Sequence, residues 1–264
     1  HSFSSCSMPI VFRISQNFSS IQAPGAGLNI FQHCKYSKFT SIAVIEYKVR
    51  TYRHLKGLIL FRIRRPFFRL FKNSHPRLFN FFLLLGVFIF AIQVVPLGFK
   101  YRPKYVHVYT PAHLFTGVLL KLICNSKLFV SFHGSDIHSL NNGLLIFLLR
   151  RFVDKVLIIA ESMRPSLESL GLPIHYMGNG CDSSEFNTLK TESPLNFDFI
   201  LAVGGLRPVK NYDLLFRAYA QSLQLGLTWN LVIVGDGPDK TSLIELAEDL
   251  SISKKLFMIN SCDQ

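Results

Sequence analysis

The sequence predicts an α/β chain: parallel sheets covered by helices on both faces, in two domains of which the second is incomplete. Three observations predict it. Short, continuously apolar runs recur along the chain, as strands buried on both faces require. Each run ends in a turn former and leads into helical periodicity, an alternation that implies right-handed parallel crossovers. The alternation is clearest over residues 199–238, FILAVGGLRPVKNYDLLFRAYAQSLQLGLTWNLVIVGDGP, where two strand–helix units stand in phase.

Length and composition bound the answer. A chain of 264 residues with 49% hydrophobic content holds one large domain or two modest ones. Charge divides it: residues 1–135 hold 18 Lys/Arg and one acid, Glu46, whereas residues 136–264 hold 11 Lys/Arg and 15 Asp/Glu. Such asymmetry points to an anionic partner for the first half, nucleic acid or a membrane surface. No helix-turn-helix or zinc finger accompanies the basic residues, which argues against nucleic acid. The five cysteines (6, 34, 124, 181 and 262) are scattered, odd in number and without a C-x-x-C pair. That spacing fits a reducing compartment better than a disulfide framework or a zinc site. The chain opens on His1; Met8 is read as the start, and His1–Ser7 are set aside from the fold.

In order, Pro9–Ile14 reads as a strand, then a loop with Gly25 and Gly27, a helix at Leu28–Lys35 and a strand at Ser41–Tyr47. Lys48–Arg77 is a basic segment with ten Lys/Arg and no acid, interleaved with aromatic and aliphatic residues. Residues 78–99 then run 22 positions without a charge. Their length permits a transmembrane helix; the competing reading is a buried helix under a sheet, beside a basic amphipathic surface resting on lipid. From Tyr105 the alternation is regular, with strands at Tyr105–Tyr109, Lys127–Phe132, Lys155–Ala160 and Ile174–Met177. Helices at Pro111–Leu122, Leu144–Phe152 and Glu161–Leu170 separate them. The polar stretch 182–198 reads as a linker between a first domain, 8–181, and a second, 199–264.

Two loops of the second domain suggest phosphate chemistry. Gly204 and Gly205 let backbone N–H groups approach an anion, and the following helix presents its positive end. Arg207 adds a bidentate fork and Lys210 a point charge. Gly235-Asp236-Gly237-Pro238 closes the second strand beside them.

The two loops resemble the donor-binding half of glycosyltransferase family 4, retaining enzymes of the GT-B fold with two Rossmann-like domains. That family reads V-G-R-L-x-x-x-K-N or K-G, then V-G-D-G-P; Gly204, Leu206, Lys210, Gly235, Asp236, Gly237 and Pro238 match as they stand. The family's arginine falls on Gly205, and Arg207 lies two residues on. His133-Gly-Ser-Asp136 resembles the family's H-G-x-D loop, and Gly178-Asn-Gly-Cys-Asp182 with Phe186 its N-G-V-D-x-x-x-F signature.

The resemblance implies a GT-B-like fold and transfer of a sugar, with retention, from a nucleotide-sugar donor to a glycan or lipid-linked acceptor. It makes His133 and Asp136 the candidate catalytic residues, although Ser135 or Asp136 is equally placed to cap the next helix. Gly204, Gly205, Arg207, Lys210, Gly235, Asp236 and Gly237 become donor-binding, and Gly25, Gly27, Asn179 and Gly180 acceptor or hinge positions. It also favours the peripheral reading of residues 48–99, on the cytoplasmic face of the membrane. No metal or other cofactor is expected: His75, His107, His113 and His138 share no metal spacing, no D-x-D triplet occurs, and GT-B enzymes generally need none. The family's E-x7-E element finds no match in this sequence. The chain is therefore expected to bind donor weakly on its own, with an exposed sheet edge and uncovered apolar faces in its second domain. A GT-B nucleotide-sugar epimerase and a non-catalytic membrane-associated remnant stand as the alternatives.

Overall fold

The structure, a computed structural model, describes residues 9–15, 28–45, 58–63, 76–180, 193 and 195–260. The chain divides into two compact units, 1–182 and 183–264. Both are α/β with parallel sheets, as the apolar runs demand.

The first unit is built on seven parallel strands in the order β3-β2-β1-β4-β5-β6-β7. They are β1 (Ile10–Ser15), β2 (Thr40–Ile45), β3 (Leu58–Arg62), β4 (Tyr105–Val108), β5 (Lys127–Phe132), β6 (Lys155–Ile158) and β7 (Ile174–Tyr176). The order reverses between β1 and β4, whose register pairs Arg13 with His107. Helices α1 (Leu28–Lys35), α2 (Pro76–Tyr101), α3 (Leu114–Cys124), α4 (Gly143–Phe152) and α5 (Arg164–Glu168) cover the sheet.

The two faces of this sheet differ in kind. On one, Phe12, Ile14, Ile42, Val44, Val106 and Val108 form an apolar core with Phe90 and Val94 of α2 and Val118 and Leu120 of α3. Helix α3 lies close because Gly117 has no side chain; a Cβ there would come within 2.7 Å of Val108 and 2.8 Å of Leu128. The other face, under Ile30 and Cys34 of α1, carries Ala43, Ile45 and Tyr109. It also holds a buried polar row of Arg13, Ser41, His107 and Ser131.

The basic segment and the apolar run after it need correction. Leu58–Arg62, inside the segment, is the edge strand β3, parallel to β2. Charged side chains suit an edge, where they discourage further pairing. The uncharged run is a helix extending past both of its expected ends, through Asn80, Gln93 and Pro96. Gln93 stays within it by donating from its side-chain amide to the Ile89 carbonyl at 3.0 Å. Phe90, Ala91 and Val94 are fully buried, and α2 packs along α3. Among the described residues no helix is long and apolar enough to cross a membrane. The spanning reading of 78–99 therefore gives way to the buried helix.

The second unit holds three parallel strands, β8 (Phe199–Val203), β9 (Asn230–Val234) and β10 (Leu256–Ile259), in the order β10-β9-β8. Helices α6 (Tyr212–Gln224) and α7 (Lys240–Asp249) supply Phe216, Tyr219, Leu243 and Ala247 to a core with Leu206, Leu231 and Ile233. Leu201, Val203, Phe257 and Ile259 of the outer strands are exposed.

The two environments of α2 make a direct test. Phe90→Ala should destabilise the first unit by about 3–5 kcal/mol, as expected for a large-to-small change in a packed core. Phe88→Ala, at a position half exposed and stacked on Phe115, should cost about 1 kcal/mol or less. Equal costs in urea unfolding would contradict the assigned face of α2.

Candidate functional site

The chemistry-bearing residues of the first unit gather at the strand reversal, where open α/β sheets bind ligands at their carboxyl ends. Arg13, in the middle of β1, is 8% exposed. Its Nε donates to Ser41 Oγ, one Nη to the Tyr109 hydroxyl and the other Nη to Ser37 Oγ, each at 3.2 Å. His33 Nδ1 lies 2.5 Å from the same Tyr109 oxygen, and His107 Nε2 lies 2.5 Å from Ser131 Oγ. Tyr109 stacks on His107 with ring centroids 4.0 Å apart, and on His133 at 6.1 Å and 7°. These groups border a cavity of about 400 Å³ lined by Arg13, His33, Tyr36, His107, Asn179 and Gly180. Two positions assigned to acceptor or hinge, Asn179 and Gly180, thus reach the same cavity.

Burial and a cation shape the protonation states here. Burial, helped by Arg13 and His133, lowers the His33 pKa to about 4. His107 is likewise driven well below the ordinary histidine value by burial, with Arg13, His33 and His133 acting in the same sense. Burial raises the Tyr109 hydroxyl, opposed by Arg13. Both imidazoles are neutral at pH 7, and the phenol keeps its proton. The Tyr109 oxygen accepts from Arg13 and shares a second hydrogen bond with His33 Nδ1, whose direction follows the imidazole tautomer.

His133 and Asp136 meet in one tight loop after β5. The Asp136 carboxylate accepts the His133 backbone N–H with both oxygens, at 2.8 and 3.0 Å. Gly134, at φ 115°, makes the turn between them. Burial raises the Asp136 pKa and lowers that of His133, while the two groups oppose both shifts. The Asp136 carboxylate thereby fixes the backbone of the loop at His133. The helix that follows, α4, is capped by Asn142, whose Oδ1 accepts from Leu144 and Leu145 N–H, not by Ser135 or Asp136.

In the second unit the two glycine loops are packed against each other. Gly204 N–H donates to the Val234 carbonyl and Leu206 N–H to the Asp236 carbonyl, both at 3.0 Å. A Cβ on Gly235 would lie 1.9 Å from the Gly204 oxygen, and one on Gly237 would lie 2.2 Å from the Leu206 oxygen. The glycines at 235 and 237 therefore serve the contact between the loops. The N–H of Gly204, expected to face an anion, is occupied by that contact. The N–H groups of Gly205 and Arg207 have no partner among the described residues. Arg207 and Lys210 are exposed, and neither has an ion-pair partner among the described residues. The Arg207 Nε lies 3.8 Å from where a Gly205 Cβ would stand. Asp236 faces Lys240 at 4.0 Å.

Gly25, Gly27, Cys181, Asp182 and Phe186 lie outside the described residues. Arg13, His33, Tyr109 and Ser131 are not among the sequence-predicted site residues, and His107 enters there only as a metal ligand without the spacing for one. Their signal was a polar residue inside a run meant for burial on both faces: PIVFRIS, YVHV and KLFVSF.

The protonation states predict a pH dependence. A histidine with a lowered folded pKa binds fewer protons than the unfolded chain does between about 4 and 6.5, so stability is lost as pH falls through that window. His33→Gln should flatten that loss relative to the parent chain in urea unfolding at pH 4.5 and 7. The comparison cancels the opposite contribution of Asp136, and equal slopes would contradict a buried neutral His33.

Comparison with known proteins locates this chain. Residues 183–264 match the family described as Glycosyl transferases group 1. The chain is 30% identical over 172 residues to the N-acetylgalactosamine-N,N'-diacetylbacillosaminyl-diphospho-undecaprenol 4-alpha-N-acetylgalactosaminyltransferase of Campylobacter jejuni, a match covering 61% of this chain and 44% of that protein. The chain thus spans less than half the length of that relative. Among solved structures, sucrose-phosphate synthase from Thermosynechococcus elongatus aligns with a TM-score of 0.71 at 13% identity, over 97% of this chain and 71% of that one. Anabaena HepE in complex with UDP aligns with a TM-score of 0.67 at 16% identity, over 97% of this chain and 70% of that one. The chain has a GT-B-like fold, and its second unit is similar to the family described as Glycosyl transferases group 1.

Proposed function

We propose that this chain carries the acceptor-side unit and the phosphate-binding loops of the donor-side unit of a retaining glycosyltransferase. In this reading a nucleotide-sugar supplies the sugar, and a lipid-linked or glycan acceptor receives it. The observation that carries the reading is the pair of glycine loops within the matched residues. They are locked together so that the Gly205 and Arg207 N–H groups, the Arg207 guanidinium and the Lys210 ammonium all remain available.

The chemistry follows from the charge that develops as the donor breaks. The bond from the anomeric carbon to the diphosphate oxygen lengthens, and negative charge accumulates on the leaving diphosphate. Preorganised N–H groups and cations stabilise that charge more than the ground state, which lowers the barrier. Arg207, folded back over Gly205, supplies the charge that family members carry one position later than Gly204. Group 1 chemistry in this reading draws its cations from the chain and needs no metal. In this reading the His133 imidazole, in a loop held by Asp136, donates to a sugar hydroxyl or phosphate oxygen. The partner relative, named for transfer to a diphospho-undecaprenol-linked glycan, supports a lipid-linked acceptor.

The membrane enters through α2. Leu85, Phe88, Ile92 and Phe99 are exposed along the side of the helix away from its buried residues, and the basic half of the chain surrounds them in sequence. Exposed apolar residues with neighbouring Lys/Arg favour shallow docking on an anionic bilayer.

The test uses the protein translated from its complete reading frame, with phosphatidylglycerol vesicles and nucleotide-sugar donors. Sugar should pass to an acceptor with its anomeric configuration unchanged, as read by NMR of the product. Arg207→Ala should lower kcat/KM by about 10²-fold, the scale of a lost transition-state donor. Phe88→Asp should release the protein from the vesicles while its transfer to a water-soluble acceptor persists. Isomerised donor without transfer would instead identify an epimerase, and an unaffected Arg207→Ala would remove the loop from the mechanism.

A further inference from the structure

We propose that the cavity at the β1–β4 reversal is an oxyanion site of the phosphate class, with Arg13 as its charge and the His33 Nε2–H as a further donor. The proposal deepens the reading above by giving the acceptor a phosphate contact, and rests on it only for the source of the anion.

Three features of the site point this way. The first is an uncompensated buried cation. Arg13 is always charged and only 8% exposed, yet its three hydrogen-bond partners, Ser41, Tyr109 and Ser37, are all neutral hydroxyls. Two of its five N–H groups have no partner among the described residues. Among the described residues, the charged and titratable groups acting on His33, His107 and Tyr109 are Arg13, His33, His133 and Cys34, none of them a carboxylate; the carboxylate of Asp136 acts on His133. The one acid of residues 1–135, Glu46, lies outside the described residues. A buried charge without a counter-ion is unfavourable, and a bound oxyanion removes that penalty.

The second feature is donor geometry. His33 Nδ1 is engaged by Tyr109, which leaves Nε2 as the ring nitrogen to which the proposal assigns the proton, and His33, Arg13 and Asn179 all line the cavity. More than two donors converge there, which suits a three-oxygen phosphate better than a carboxylate, and the guanidinium fork matches phosphate bidentately. The third is position and size. The cavity opens where the strand order reverses, and about 400 Å³ accommodates a diphosphate with part of a sugar.

The experiment titrates the full chain with inorganic pyrophosphate and, separately, with geranyl diphosphate, following the imidazole nitrogens by NMR. The His33 and His107 resonances should shift saturably with both. In Arg13→Met the affinity should fall at least about tenfold, the equivalent of one lost charge-assisted hydrogen bond. Tighter binding of geranyl diphosphate identifies a lipid-linked phosphate as the source, and equal binding a water-soluble one; each supports the site. Without anion, Arg13→Met should unfold no earlier than the parent chain, because an unpaired buried charge has been removed. If that variant does not fold, His33→Gln should show the weakened binding instead. Absence of saturable shifts at His33 and His107 would overturn the proposal. So would a Glu46→Gln variant that binds pyrophosphate more tightly than the parent, since Glu46 would then be the counter-ion. Neither readout requires sugar transfer, so failure of the transferase reading leaves this result interpretable.

Discussion

A parallel strand covered on both faces has no water with which to satisfy a polar side chain, so every polar residue inside it must find a partner within the fold. That constraint organises the first unit. One face of its sheet obeys in the simplest way, with Phe12, Ile14, Val106 and Val108 packed under α2 and α3. The other face carries Arg13, hydrogen-bonded to Ser41 and Tyr109, and His107, hydrogen-bonded to Ser131 and stacked on Tyr109. Tyr109 stacks in turn on His133. The polar row therefore links the strand reversal to the loop in which Asp136 fixes the His133 backbone.

The second unit meets a different constraint, the close approach of two backbones. Its glycine loops touch through Gly204–Gly235 and Leu206–Gly237, at separations that leave no room for a Cβ. This contact determines which amides remain for a ligand. Leu206 turns inward to the core, whereas Arg207 and Lys210 stay at the surface. In the proposed function, loops held together in this way with charges at their rim favour a developing anion, because the donors need not reorganise as the charge appears.

The sequence shows the alternation of strands and helices well, because burial leaves a continuous apolar run at β9, and β8 carries one too although Leu201 and Val203 are exposed at its edge of the sheet. It shows α2 less well: an uncharged run of 22 residues suits lipid and protein core equally by composition. Only packing of Phe90 and Val94 on the core decides between them. Edge strand β3 is hidden because its Arg62 and the surrounding basic residues mask a short apolar pattern. Among the site residues, the glycine loops are legible because they follow strands directly. The Arg13–His33–His107 cluster is not, since its members lie up to 94 residues apart and meet only through the sheet order 3-2-1-4-5. Asp136 illustrates the remaining difficulty: spacing places it beside His133, but only the structure shows its carboxylate turned onto the backbone.

The central claim, that the paired glycine loops form the nucleotide-diphosphate site, is tested most directly by titrating the chain with UDP and following backbone amides by NMR. The account predicts shifts centred on Gly205 and Arg207, extending to Lys210, even where saturation lies in the millimolar range of about −4 kcal/mol. Shifts that bypass these residues, or that appear only around Arg13 and His33, would contradict it.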